Sequence, residues 1–163
     1  MKSGYLSSYF EGIAEKQLSK VEADFLCSNQ HEFNGDRGLR RLLGTQSGSR
    51  KFPPPFLYMS DMEVIHREGG MIWYDAREKN PSRTGWRLYF PTTDVMLKAK
   101  EKDTLIIGRK TDETLPVIVV RSGDTVESQL KWLFGIIQDE QKEFTVKNTF
   151  RPVASGSVGG RPN

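Results

Sequence analysis

Apolar positions along the 163-residue chain fall into short runs separated by polar connections marked with Gly and Pro. That is the pattern of a domain built from many short elements. Phe10, Ile13, Ala14, Gln17 and Leu18 recur at helical spacing, and Ser8 with Glu11 has the form of a capping box. Residues Met1 to Leu18 are therefore expected to form a helix, with Lys16 and Lys20 where the helix dipole favours cations. In the next stretch Leu26-Cys27 is a candidate short strand, Ser28 to Glu32 is a dense hydrogen-bonding run, and Asn34-Gly35 signals a turn. Arg37 to Leu43 predicts a short helix, with Leu39, Leu42 and Leu43 inward, Arg40 and Arg41 outward, and Gly44 as its stop. Thr45 to Lys51 reads as a Gly/Ser linker with a basic end, and Pro53-Pro54-Pro55 stiffens the approach to a strand at Phe56 to Met59.

The most informative stretch runs from Met71 to Arg87. A candidate strand at Glu63 to His66 turns through Gly69-Gly70 into the apolar strand Met71 to Tyr74. A polar loop follows, punctuated by Asn80-Pro81 and Gly85, and the chain returns through Trp86, Leu88 and Phe90. Pro91-Thr92-Thr93 leads into a short helix over Asp94 to Lys100, with Val95, Met96 and Ala99 apolar. The β-branched runs Leu105 to Ile107 and Val117 to Val120, divided by the polar turn Lys110 to Glu113, predict a hairpin. Asp124 and Glu127 form an acidic variant of the capping box for a helix through Phe134, with Val126, Leu130 and Leu133 on one side. Beyond Phe144 the composition turns to Ser, Gly and Pro, as in a disordered tail or linker. The pattern predicts a mixed α/β, mostly β domain over residues 1–150, a mainly antiparallel, barrel-like open sheet with short flanking helices, and a tail over 151–163. Alternating βαβ units are missing, which excludes a doubly wound fold.

Composition narrows the setting. No apolar run approaches a membrane span, so no membrane partner is expected. The single cysteine, Cys27, excludes an internal disulfide and fits a reducing cytoplasm. Net charge is only +3, but its distribution is uneven. From Asp36 to Lys51 five cations (Arg37, Arg40, Arg41, Arg50 and Lys51) face one anion. From Asp75 to Arg87 four cations (Arg77, Lys79, Arg83 and Arg87) face Asp75 and Glu78, and Asp112 to Glu143 is acidic. Clustered cations on one face are the footprint of a polyanion.

Arginines beside amide, hydroxyl and carboxylate groups, held between two strands, are what base edges and phosphates require: Arg pairs bidentately with guanine, Asn with adenine, and Glu accepts from cytosine. The alternative is a solvated hairpin tip. Other chemistries find little support. His31 has no nucleophile and acid partner at recognisable spacing, zinc-type His/Cys spacing is missing, and no phosphate-binding glycine motif occurs. Asp103, Asp112 and Glu113 flank the strand Leu105 to Arg109 with Lys110 close by, but the wholly apolar Val117 to Val120 supplies no acidic-x-Lys partner for a metal-dependent nuclease site. Two alternatives stay open: such a nuclease site within this chain, and a protein-interaction domain whose basic segments are incidental.

Four stretches are more particular than any short motif: SNQHEFNG (Ser28–Gly35), WYDAR (Trp73–Arg77), RTGWRLYFPTT (Arg83–Thr93), and the run from Leu105 through VIVVRSGDTVESQLKWLFGI. Through them, over roughly Tyr9 to Ile136, the chain resembles the N-terminal recognition (effector) domain of EcoRII-type restriction endonucleases. The resemblance implies a DNA-binding pseudobarrel whose two arms grip the major groove. It also implies the target CCWGG, a bacterial cytoplasmic setting, and a separate C-terminal nuclease domain as partner. No cofactor is implied for this domain; Mg belongs to the nuclease domain. The N-arm would be Ser28 to Asn34 and the C-arm Asp75 to Arg87. Asn29, Gln30, His31, Glu32, Asn34, Arg77, Arg83 and Arg87 are the candidates for base edges. Lys79, Ser82, Arg40, Arg41 and Lys51 are the candidates for phosphates, with Ser28, Glu78, Asn80, Thr84 and Trp86 completing the contact set, although Trp86, alternating with Leu88 and Phe90, fits the core equally well. Gly85 and Trp86 depart from the pattern, standing where charged residues are expected, and the family's catalytic motif has no counterpart here.

Overall fold

The computed structural model describes residues 10–24, 31–46, 48–53, 55–78, 85–136 and 143–147. In chain order these form β1 (Phe10–Gln17), α1 (Lys20–Ala23), β2 (Glu32–Gly35), α2 (Arg37–Leu43), β3 (Arg50–Phe52), β4 (Phe56–Met59), β5 (Val64–Arg67) and β6 (Met71–Asp75). A 3-10 turn (Ala76–Glu78) follows, then β7 (Trp86–Tyr89), α3 (Asp94–Lys98), β8 (Thr104–Lys110), β9 (Val117–Val120), α4 (Thr125–Phe134) and β10 (Thr145–Lys147). The strands make two sheets, ordered β10-β1-β8-β9-β4-β5 and β2-β7-β6-β3. Every pairing is antiparallel except β4 with β9. Neither sheet closes into a barrel, so the expected barrel-like sheet is realised as two open sheets.

Side-chain alternation assigns the layers. Ala14, Phe56, Tyr58, Leu105, Ile107, Val117 and Val119 of the six-stranded sheet share one core with Phe33, Phe52, Met71, Trp73, Trp86 and Leu88 of the four-stranded sheet. The opposite face of the six-stranded sheet, carrying Ile13, Ile106, Ile118 and Val120, packs under α4 through Phe134 and the partly buried Val126, Leu130 and Leu133. A strand covered on both faces reads as a continuous apolar run, which is why β8 and β9 show no alternation. The order is four-stranded sheet, first core, six-stranded sheet, second core, α4. No described helix is long and apolar enough to cross a membrane.

The helix expected over Met1 to Leu18 is instead strand β1 from Phe10 onward; residues 1–9 lie outside the described ones. β1 pairs with β8 and β10 and is covered on both faces, so Ile13 and Ala14 serve different cores and their spacing mimics a helical stripe. Glu15 and Lys16 are buried there, and the Lys16 ammonium is compensated by Glu22 at 2.6 Å. The capping box belongs to Ser19 and Glu22, which bond reciprocally at the start of α1.

Asn34-Gly35 ends β2, paired with Arg87 and Trp86, and carries the expected turn: the Asp36 amide donates to the Asn34 carbonyl, closing a three-residue turn centred on Gly35. Glycine is required at 35 because a Cβ there would sit 2.5 Å from the Trp86 Cβ and 2.7 Å from Trp73 Cη2. The linker over Thr45 to Lys51 ends earlier than expected, since Arg50 and Lys51 open β3. The tail expected beyond Phe144 begins with β10; residues 148–163, and Leu26-Cys27, lie outside the described residues. Helix α2 forms as predicted, capped by Asp36 and closed by Gly44 at φ 87°.

The capping box at Asp124 and Glu127 does not form. Asp61, in the turn after β4, accepts from the Thr125 and Val126 amides at 2.9 Å each, and Asp124 accepts from the Asp61 amide at 2.8 Å. Glu127 instead accepts from the Gly123 amide and the Thr104 hydroxyl.

Candidate nucleic-acid interface

The four-stranded sheet turns one face to the core and the other outward. Phe33, Leu88 and Trp73 are in register on the inner face. Alternation then sends Glu32, Tyr89, Ile72 and Lys51, which are in register across β2, β7, β6 and β3, to the outer face. The next outward row is Asn34, Arg87 and Tyr74. Sequence reading selected Glu32, Asn34, Arg87 and Lys51 from separate segments, and the sheet gathers them on one surface. It did not select Ile72, Tyr74 or Tyr89. The alternation of β6, with Met71 and Trp73 inward, is the signal that assigns Ile72 and Tyr74 outward.

The two candidate arms join this face at opposite ends. The chain enters β2 at Glu32, beside Tyr89 and Ile72, whereas β6 hands over to the C-arm at Asp75, beside Trp86 and Gly35. Four residues of strand, roughly 10–13 Å, separate the two ends. His31 precedes β2, its ring 5.8 Å from that of Phe90 and its carbonyl accepting from the Phe90 amide.

At the C-arm end the 3-10 turn carries Arg77 and Glu78. Asp75 accepts from the Arg77 amide at 3.0 Å and from its Nε at 3.4 Å. That amide, and then the guanidinium, hold the Asp75 carboxyl below the usual carboxylate value. Glu78 accepts from the Gly48 amide at 3.3 Å, fastening the base of the arm to the loop before β3. A cavity of about 270 Å³ lies beside it, lined by Ser49, Lys51, Ile72, Tyr74, Asp75 and Glu78.

Arg87 projects beside Glu32, Nε to Oε1 4.0 Å, and its Nη1 donates to the Trp86 carbonyl at 3.0 Å. Trp86, expected among the contacts, is only 6% exposed and stacks on Trp73 in the first core. Its β7 position faces inward, so it supports the surface and does not form it. Arg40 and Arg41 are exposed on α2, which packs against β1, β10 and β2 through its other side. Ser28, Asn29, Gln30, Lys79, Asn80, Ser82, Arg83 and Thr84 lie outside the described residues.

Four acids of the Asp112 to Glu143 segment sit elsewhere. Asp112 and Glu113 close the β8–β9 hairpin, Glu113 pairing with Arg109 and Arg50, and Asp124 and Glu127 lie at the start of α4 across two cores from the outer face. Asp103, 4% exposed, accepts from the Ser122 and Lys100 amides. No three His, Cys, Asp or Glu side chains converge as a metal-binding group among the described residues. Neither protein-family models nor curated protein sequences match this chain.

Proposed function

We propose that this chain is a sequence-specific duplex-DNA-binding module, the recognition domain of an EcoRII-type restriction endonuclease acting on CCWGG. In this reading it is a two-armed pseudobarrel working in the bacterial cytoplasm beside a separate Mg-dependent nuclease domain. The observation that carries the reading is the outer face of the four-stranded sheet. It collects Glu32, Asn34, Arg87 and Lys51, and the N-arm and C-arm candidates leave it at opposite ends. A span of roughly 10–13 Å between those ends matches a major groove about 12 Å wide. Base edges are then read by the amide, carboxylate and guanidinium groups of the face and arms, and phosphates are held by Lys51, Lys79 and neighbouring cations.

The test is a backbone-amide NMR titration with a CCWGG duplex. Shifts concentrated at Glu32, Asn34, Lys51, Arg77 and Arg87 are expected. Shifts confined to α4 and β5 would move the partner to the opposite side of the molecule. A protein-interaction role is the second reading. It is favoured by the exposed Trp132, Met62 and Val64, and by an apolar groove of about 600 Å³ between α4 and Met59. That reading predicts no salt-dependent binding of nucleic acid.

A further inference from the structure

One polar bridge crosses the outer face of the four-stranded sheet. Tyr74 on β6 and Glu32 on β2 stand diagonally on either side of β7, two strand spacings and one row apart, about 12 Å between their Cα atoms. Their side chains meet above it, the Tyr74 hydroxyl donating to Glu32 Oε2. Glu32 Oε1 lies 4.0 Å from Nε of Arg87. Arg87 and Tyr89 project from β7 on the two sides of the bridge. The Glu32 and Arg87 side chains keep 22% and 21% of their surface exposed, so the group opens toward solvent.

This bridge is not what joins the strands. β2 and β6 are each tied to β7 by a four-residue ladder, and removing one hydroxyl leaves both ladders intact. What it fixes is direction. An ionised carboxylate only accepts hydrogen bonds. Glu32 is held by the Tyr74 hydroxyl on one oxygen with Arg87 beside the other, and the solvent-facing edge of its carboxylate suits an N–H donor arriving from above. In the major groove the groups that donate are the exocyclic amines of cytosine (N4) and adenine (N6). Guanine O6 and N7, thymine O4 and the phosphates offer acceptors. A pre-aimed carboxylate also loses less side-chain freedom when the ligand arrives, because its rotamer is already held.

We propose that Tyr74 is a positioning residue that aims Glu32 at an exocyclic amino group of the target duplex, cytosine N4 or adenine N6, so that selection at one base pair depends on a side chain touching no base. The proposal rests on the duplex-DNA reading above and adds to it the chemistry of one contact.

The experiment uses the whole chain, as wild type, Tyr74→Phe, Glu32→Gln and the double variant. Each is titrated with a CCWGG duplex, with the set of duplexes carrying one altered base pair, and with CCWGG duplexes in which a single cytosine or adenine is replaced by its analogue lacking the amino group. Melting curves of the four proteins are compared alongside. Tyr74→Phe is expected to melt close to wild type and to lose about tenfold in preference at a single base pair, the size of one base contact. On the duplex lacking the responsible amine, wild type and Tyr74→Phe should bind equally. Equality on the cytosine analogue identifies N4, and equality on the adenine analogue identifies N6. Uniform weakening on every duplex, or no change at all, would overturn the positioning role while leaving the DNA reading intact, since the wild type still discriminates. A wild type that prefers no duplex would overturn the DNA reading, and the proposal with it.

Discussion

Trp73 and Trp86 stack across the β6–β7 hairpin, their ring centroids 5.1 Å apart and their planes 21° from parallel. The Trp73 indole Nε1 also donates to the Gly44 carbonyl at 2.8 Å, tying the hairpin to the end of α2. The pair lies directly beneath the strand ends from which the C-arm departs. Trp86 therefore supports the arm from below. Trp86→Ala should cost about 3–5 kcal/mol of stability, the usual range for a buried Trp cut to Ala. Trp86→Phe should keep the order of preference among duplexes. Urea denaturation with parallel binding assays checks both, and altered base preference in a folded Trp86→Phe protein would return this residue to the contact set.

Gly35 is set against the same pair. A methyl group there collides with Trp86 and Trp73, and neither indole has room to withdraw from a filled core. Gly35→Ala should therefore destabilise by about 1–3 kcal/mol, the range for overpacking. A melting temperature unchanged from wild type would contradict the close approach of β2 to the tryptophans.

Arginine and lysine on the outer face should behave differently. Arg87→Ala is expected to cost about 1–3 kcal/mol on the best duplex and to relax selection at one base pair. Lys51→Ala should weaken all duplexes alike and lower the slope of log affinity against log salt by roughly one unit. Arg83→Ala tests the far end of the C-arm, and unchanged affinity and preference there would remove that arm from the interface.

Two carboxylates should titrate on opposite sides of the usual aspartate value. The Thr125 and Val126 amides lower the pKa of Asp61, so its stabilisation is present above 3.8 and is lost as pH falls through its depressed folded value. Burial raises the pKa of Asp103 despite the Ser122 and Lys100 amides. Its contribution is therefore most favourable below 3.8 and is lost as pH rises through the raised folded value. Carboxyl NMR titration should give a midpoint below 3.8 for Asp61 and above it for Asp103. The reverse order would contradict the capping of α4 by Asp61.

Much of the fold was legible where one face of an element is wet. Arg37 to Leu43 showed its inward leucines, its outward arginines and its glycine stop, and the structure has that helix. Met71 to Tyr74 and Trp86 to Phe90 announced a hairpin through alternation and turn residues. Legibility failed at β1, although β8 and β9, equally dry on both faces, were readable as strands from their unbroken β-branched runs. β1 carries Ile13 and Ala14 into different cores, so no single period survives, and its buried Glu15 and Lys16 look like surface charges in the sequence. It failed again for Asp61, which caps a helix beginning 64 positions later, a contact that only the closed fold creates. The candidate site was half visible. Residue types named Glu32, Asn34, Lys51 and Arg87, but the shared face that unites them, and the Tyr74 that completes it, depend on strand order, which local patterns do not encode.

The most direct test of the DNA-reading account is fluorescence anisotropy, titrating the chain against a CCWGG duplex and a scrambled duplex at two salt concentrations without metal. The account predicts tighter binding to CCWGG, weakened steeply by added salt because counterions released into a saltier solution gain less entropy. Equal affinity for both duplexes would contradict the assigned target, and no salt-dependent binding to either would contradict the DNA-reading function itself.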